Sequence, residues 1–266
     1  MSTCCDYPTD VSDAQWAILA PLLPQPTWRP GGPGRQPIEL RRVINGIFYV
    51  TKTGCQWRMM PKDVGHWNTI YGYFRRWRRA GLWARVMETL RQWERQCQGR
   101  LPEPSAGCAD SQSIKTATQG TDVGFDGNKQ VKGRKRHILI DTLGLLLAVV
   151  VTAANVDDRQ GLVELLRHYM TPRVKRLRKI WVDKGYTAQW LWEWARSLKR
   201  THKIDVEVVE RTGKGFEVVK QRWKVERTLA WLLNDRRHSK DYERLTASSE
   251  AMIQISMIRL LLKRLA

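Results

Sequence analysis

Apolar residues recur at helical spacing through the amino-terminal third of the chain and give way to strand-like runs beyond it. Ser12-Asp-Ala-Gln15 has the form of a capping box, and Trp16, Leu19 and Leu23 follow on one helical face. The Pro21–Pro33 region breaks that helix, and Pro24, Pro26, Pro30, Gly31, Gly32, Pro33 and Gly34 make a loop with Arg29 and Arg35 expected to be exposed in it. A second helix is predicted from about Ile38, with Leu40, Val43, Ile44, Ile47 and Phe48 in phase and Gly54 as its stop. A third starts near Trp67, where Trp67, Ile70, Tyr71, Phe74 and Trp77 form an apolar stripe. Arg75, Arg76, Arg78 and Arg79 cluster at its carboxyl end, largely off that stripe. Two amphipathic helices joined by a turn region, the second strongly basic, have the outline of a helix-turn-helix module. A solvated face favoured by the helix dipole would explain some of these arginines. Four in five residues exceed that need, and a DNA contact is the better reading.

Between Cys97 and Gly107 the composition shifts to a stretch rich in proline and polar residues, the best domain boundary in the chain. Residues 1–99 are expected to form a helical DNA-binding domain and residues 100–266 a mixed-sheet domain. In the second part, strands are predicted around Asp110, over His137–Thr142 and over Leu145–Thr152. A helix with Leu162, Leu165, Leu166 and Tyr169 follows, capped within Asn155–Asp158. Then come a strand ending at Asp183, a helix capped by Thr187 with a Trp190 and Trp194 stripe, and a strand over Ile204–Val209. A turn at Gly213-Lys-Gly215, a helix carrying Glu226 and a last helix from about Ser248 complete the order. Three strands followed by alternating helices and strands suggest a mixed sheet with helices packed on it. RNase H-like domains have the same order.

Charge changes the picture most. The chain has 266 residues, 46 of them Lys or Arg, and a net charge of +20. The basic residues are spread along it, which points to a polyanionic partner, nucleic acid above all. Thirteen Trp argue against disorder. Five cysteines contain no C-x-x-C pair, so neither a zinc site nor a disulfide framework is indicated. There is no signal-peptide pattern and no apolar run of spanning length, so the expectation is a cytoplasmic protein without a membrane partner. The Gly-rich stretch before His137 does not match a phosphate-binding loop, since Gly127 is followed by Asn128 and its neighbours read as strands. Its Lys132, Arg134, Lys135 and Arg136 read instead as a basic hairpin or loop able to follow a phosphate backbone.

Three carboxylates carry the candidate chemistry: Asp110 and Asp183 on strand-like segments and Glu226 on a helix. They stand 73 and 43 positions apart, the second gap too short for a large insertion domain. Phosphoryl transfer between DNA strands needs an activated oxygen nucleophile and a stabilised leaving oxygen. Two Mg²⁺ ions about 4 Å apart can do both, and Mg²⁺ is satisfied by a few carboxylates and water. Mn²⁺ is expected to substitute. Asp157 and Asp158 are rival carboxylates that helix capping already explains.

Several motifs together resemble the DDE transposases of bacterial insertion sequences, the IS5 family in particular. Leu22-Leu23-Pro24, Gly46-Ile-Phe-Tyr49, Thr53-Gly-Cys-Gln-Trp-Arg58 and Phe74-Arg-Arg-Trp77 are similar to that family's amino-terminal region. Ala109-Asp-Ser-Gln-Ser113, Lys132-Gly-Arg-Lys-Arg-His137, Val182-Asp-Lys-Gly-Tyr186 and Trp223-Lys-Val-Glu-Arg-Thr228 are similar to its catalytic part. The resemblance implies an RNase H-like catalytic domain without a large insertion, with Asp110, Asp183 and Glu226 as its D, D and E. It implies binding to the terminal inverted repeats and to target DNA, as a homodimer or larger assembly in the synaptic complex of the bacterial nucleoid. Of the IS4-type signature around the third carboxylate, Arg222 and Glu226 are present, while Val219 and Leu233 stand where Tyr and Lys are usual. Arg222 is expected to grip a phosphate beside the metals. A junction-resolving nuclease and a non-catalytic DNA-binding derivative are the alternatives, separated from a transposase by strand transfer.

Overall fold

The computed structural model describes residues 7–25, 27–29, 36–117, 120–170, 176–209 and 223–266. Among the described residues the amino-terminal region has four α-helices: α1 (Asp13–Leu19), α2 (Leu40–Thr53), α3 (Trp67–Arg79) and α4 (Leu82–Cys97). The capping box on α1 is formed, Ser12 and Gln15 each accepting from the other's amide. Gly54 ends α2 in the left-handed conformation, φ 72°, where its missing Cβ removes the usual steric penalty. The connection from α2 to α3 runs over residues 54–66 and includes a short 3-10 turn at Trp57–Met59. That is longer than the three- or four-residue turn of a helix-turn-helix. α4, which the sequence reading does not assign, follows α3 almost directly through Gly81.

Beyond them, the described residues build one six-stranded mixed sheet with helices on its faces. Its strands are β1 (Ala106–Lys115), β2 (Gly124–Asp126), β3 (Val131–Asp141), β4 (Leu146–Ala153), β5 (Lys179–Val182) and β6 (Asp205–Val208). β3 runs antiparallel to β1 on one edge and to β4 on the other, and the short β2 pairs with its first residues. β5 and β6 continue the sheet parallel to β1. The predicted basic hairpin over Lys132–Arg136 is therefore part of a central strand.

Alternation along the strands divides the core into two layers. Ala109, Leu139, Val150, Ile180 and Val182 face α5 (Asp158–Tyr169) and α6 (Gln189–His202). α5 crosses β3 at Gly161, where a side chain would collide with the His137 ring. In α6, Leu191, Ala195 and Leu198 enter the core while Trp190 stays exposed, and Ala188 rather than Thr187 occupies the cap. Cys108, Ile138, Ile140, Val149 and Val151 face the other layer, made of α7 (Trp223–Leu233), α8 (Thr246–Leu265) and the amino-terminal helices.

α8 is buried on nearly all sides because it lies between the sheet and α1–α4, touching β4 and each of those helices. Its Leu261 and Leu262 are core residues and offer no surface to a second subunit. One apolar core thus runs through both halves of the chain, and the break near residue 100 is one of composition rather than packing. Among the described residues no helix is long and apolar enough to cross a membrane.

Candidate active site

Asp110 lies within β1 and Asp183 directly after β5, and the ladder between these strands sets their relation. Ala106, Gly107 and Cys108 pair in parallel with Lys179, Ile180 and Trp181. Extending this register by two positions brings Asp110 level with Asp183. Side-chain alternation puts both on the face of Cys108 and Trp181, the face α7 covers. Both aspartates are half-buried. Asp110 Oδ1 accepts from the Ser111 amide at 2.7 Å, and Asp183 Oδ1 from the Gly185 amide at 2.9 Å. Asp183 thereby starts the short turn Lys184–Tyr186, which ends the strand at the point where its carboxylate emerges.

Tyr186 is buried at the end of that turn. Burial raises its phenol well above the ordinary tyrosine value, and the charges of Asp110, Asp158 and Asp183 add to the effect against a Ser111 hydrogen bond. The hydroxyl therefore stays protonated beside these carboxylates.

The rival carboxylates have structural partners. Asp157 caps α5, accepting from the Arg159 amide at 2.8 Å, and holds the Arg159 guanidinium. That side-chain bond keeps its carboxyl below the usual range. Asp158 receives Ser111 Oγ at 2.7 Å and Lys135 Nζ at 2.9 Å.

Glu226 stands on the exposed side of α7, opposite the buried Val225, Thr228 and Leu232. α7 is fastened to the β3–β4 turn by three bonds, Lys224 Nζ to Thr142 O, Arg227 Nη2 to Leu143 O and Thr228 Oγ1 to Gly144 O. The Arg227 guanidinium is stacked between Trp223 and Trp231, 4.5 Å from each ring. Among the described residues, no three His, Cys, Asp or Glu side chains gather closely enough to hold a metal ion. The structure brings two of the three expected carboxylates to one level and leaves Glu226 outside the pair. Two carboxylates side by side have the donor chemistry that suits a hard divalent cation.

The expected DNA contacts divide sharply. Arg75, Arg76 and Arg79 are exposed on α3, and Arg78 is half-buried with Nη1 on Ser248 Oγ. Lys132 is exposed as well. Arg134, Lys135 and Arg136 are not, and their assignment as phosphate contacts is corrected by their burial. Arg134 pairs with the equally buried Asp241 at 3.2 Å, and Lys135 bridges Asp126 and Asp158. Arg136 donates to His238 O, and burial lowers its pKa to about 10 although Asp241 opposes the shift. Arg222, Val219 and the turn at Gly213–Gly215 lie outside the described residues. Arg244, exposed opposite α3, was not singled out by sequence because nothing local marks it.

Comparison with known proteins agrees with this architecture. The family described as putative transposase of IS4/5 family matches residues 11–87, and the transposase DDE domain matches residues 101–261. The chain is 34% identical over 117 residues to the insertion element IS402 uncharacterized 16.2 kDa protein of Burkholderia cepacia, covering 43% of this chain and 78% of that protein. It is 35% identical over 118 residues to a putative transposase for insertion sequence element IS402 of the same organism, covering 42% of this chain and about half, 54%, of the relative. With the DDE domain spanning more than half of its length, the chain belongs to the DDE transposases.

Proposed function

We propose that this transposase binds the terminal inverted repeats of an insertion sequence and cuts and joins DNA at a site formed by Asp110, Asp183 and Glu226. What carries the reading is the parallel ladder of β1 and β5, whose register brings Asp110 level with Asp183. In this reading Asp110 and Asp183 hold the divalent cations on which such domains depend, Mg²⁺ by preference, and Glu226 joins them from α7 when DNA is bound. A bound cation supplies Lewis-acid stabilisation of the scissile phosphate and an acidified attacking water or hydroxyl. The amides of Ser111 and Gly185 each hold one oxygen of these carboxylates and so orient them. Tyr186 keeps its proton within the α5–α6 layer behind the pair. The exposed arginines of α3 bind the DNA backbone, so residues 1–99 select DNA while residues 100–266 act on it. Two ends must meet for coordinated cutting, which calls for at least two chains in the working complex.

The test is the substitution set Asp110→Asn, Asp183→Asn and Glu226→Gln, assayed for divalent-metal-dependent cleavage and strand transfer. Each should abolish cleavage while binding of terminal-repeat DNA changes less than about twofold. Near wild-type cleavage by any one of them removes that residue from the site.

A further inference from the structure

Between the carboxyl-terminal end of α3 and the start of α8 lies a cleft of about 390 Å³. Arg75, Arg78, Arg79 and Arg244 line it, together with Tyr71 and Ser248. We propose that this cleft seats a phosphodiester of the bound DNA duplex, with Arg244 as a backbone contact additional to the arginines of α3. The proposal rests on the reading of α3 as a DNA-binding helix and extends it to the far end of the chain.

Four observations carry it. First, three of its arginines come from one helix and the fourth from a segment more than 160 residues later. Their convergence is a product of the fold, not of a basic run. Second, like charges crowded this way cost free energy unless an anion joins them. Among the described residues no acidic side chain forms an ion pair with Arg75, Arg78, Arg79 or Arg244. The one carboxylate in the lining, Glu243, is already held by Arg237 through Nε at 2.8 Å and Nη2 at 2.7 Å.

Third, the wall that carries Arg244 is held rigidly from behind. The fully buried Arg134 donates to three main-chain carbonyls of the lining, Thr121 O, Glu243 O and Arg244 O. Arg134 is thus a positioning residue for the cleft. Fourth, α8 opens at this wall with Leu245 as N-cap and no side-chain cap bond, so the positive end of a 20-residue helix faces the same space. Backbone contacts of this kind position a duplex without reading its sequence.

The experiment uses the full chain and fluorescence anisotropy with two labelled duplexes of equal length, one from the end of the element and one scrambled, each across a salt series. Arg244→Ala is expected to weaken both duplexes by a similar factor and to flatten the log-log salt slope by about 0.9, the loss of one phosphate contact. Arg244→Lys should keep most of the slope. Leu245→Asp gives the exposed α8 terminus an acidic cap, so thermal stability should hold or rise while both duplexes bind several-fold more weakly.

Unchanged affinity and slope for Arg244→Ala and Leu245→Asp, with loss for Arg75→Ala and Arg79→Ala, would overturn the cleft and leave α3 as the DNA-binding helix. Weaker binding of the element duplex alone would make Arg244 a base contact and overturn the backbone assignment. No binding by the wild-type chain, or no effect of the α3 substitutions, would instead remove the reading on which the proposal stands.

Discussion

Replacing Arg134 tests whether the basic segment before His137 is framework or DNA contact. Its guanidinium has no exposed surface and pairs with Asp241, itself almost fully buried. It also donates to Ser249 Oγ at 3.1 Å and to the carbonyls of Thr121, Glu243 and Arg244. Arg134→Met keeps much of the volume and removes every donor. Asp241 then remains buried with the Ser249 hydroxyl and the Glu243 amide as hydrogen-bond partners and the Arg136 charge nearby. Breaking a buried pair costs about 3–5 kcal/mol when the surviving charge is left alone, and the Arg136 charge puts this case toward the lower end. That is a large fraction of the roughly 5–15 kcal/mol that holds a domain folded. Lys132→Ala, two residues earlier and exposed, should stay within about 0.5 kcal/mol.

The assay is equilibrium urea unfolding followed by tryptophan fluorescence and circular dichroism, at low and at high salt. Arg134→Met should lower the midpoint at unchanged slope, by the same amount at both salts, because a buried pair is poorly screened. Adding Asp241→Asn, which neutralises the stranded carboxylate, should recover part of the loss. Stability equal to that of Lys132→Ala, combined with a salt slope for DNA binding flatter by about 0.9, would refute the reasoning and return Arg134 to the phosphate contacts.

Two further predictions concern the helices behind and beside the site. Burial, with the charge of Glu164 adding to it, raises the Glu250 carboxyl to about 7, against 4.5 for an ordinary glutamate. The stability this gives is complete below about pH 4.5 and is lost as pH rises through 7. Glu250→Gln, which still accepts from the Val151 amide, should therefore match wild type at pH 4 and exceed it by up to about 3 kcal/mol at pH 8.5, read from thermal midpoints. A difference independent of pH would contradict the assignment. Arg227→Lys keeps the charge but loses the planar stack between Trp223 and Trp231 and so loosens α7. Cleavage should fall several-fold with DNA affinity unchanged, and equal cleavage would separate α7 rigidity from Glu226 function.

Elements whose signal is local were legible in the sequence. The α1 capping box, the α2 stop at Gly54, the α3 stripe and the β3–β4 pair all follow from spacing within a dozen residues. α4 was not, and its composition explains why. Arg91, Glu94 and Arg95 interrupt the apolar phase of Leu82, Val86, Met87 and Leu90, yet all three are buried. Arg95 lies against Asp141 of β3, and Glu94 is reached by Arg264 of α8. A periodicity argument counts such positions as solvent-facing, whereas the fold neutralises them with partners remote in sequence.

The same reasoning explains the error over Arg134–Arg136 and the omission of Arg244. Sequence charge treats every arginine alike, but burial divides them. Those that meet a carboxylate inside the protein, as Arg134 meets Asp241, become framework and contribute nothing to an external field. Those that form no ion pair retain their field, and α3 and Arg244 bring four such cations to one cleft whose single carboxylate, Glu243, is held by Arg237. The net charge of +20 predicts a polyanionic partner without saying where it lies. The proposed location follows from subtracting the internally paired cations, which requires the tertiary contacts of β3 and the 241–249 segment. For Asp110 and Asp183 the missing information was the strand register. Once it is known, the 73-residue separation equals the offset of the ladder, and two weak motifs come to one level on neighbouring strands.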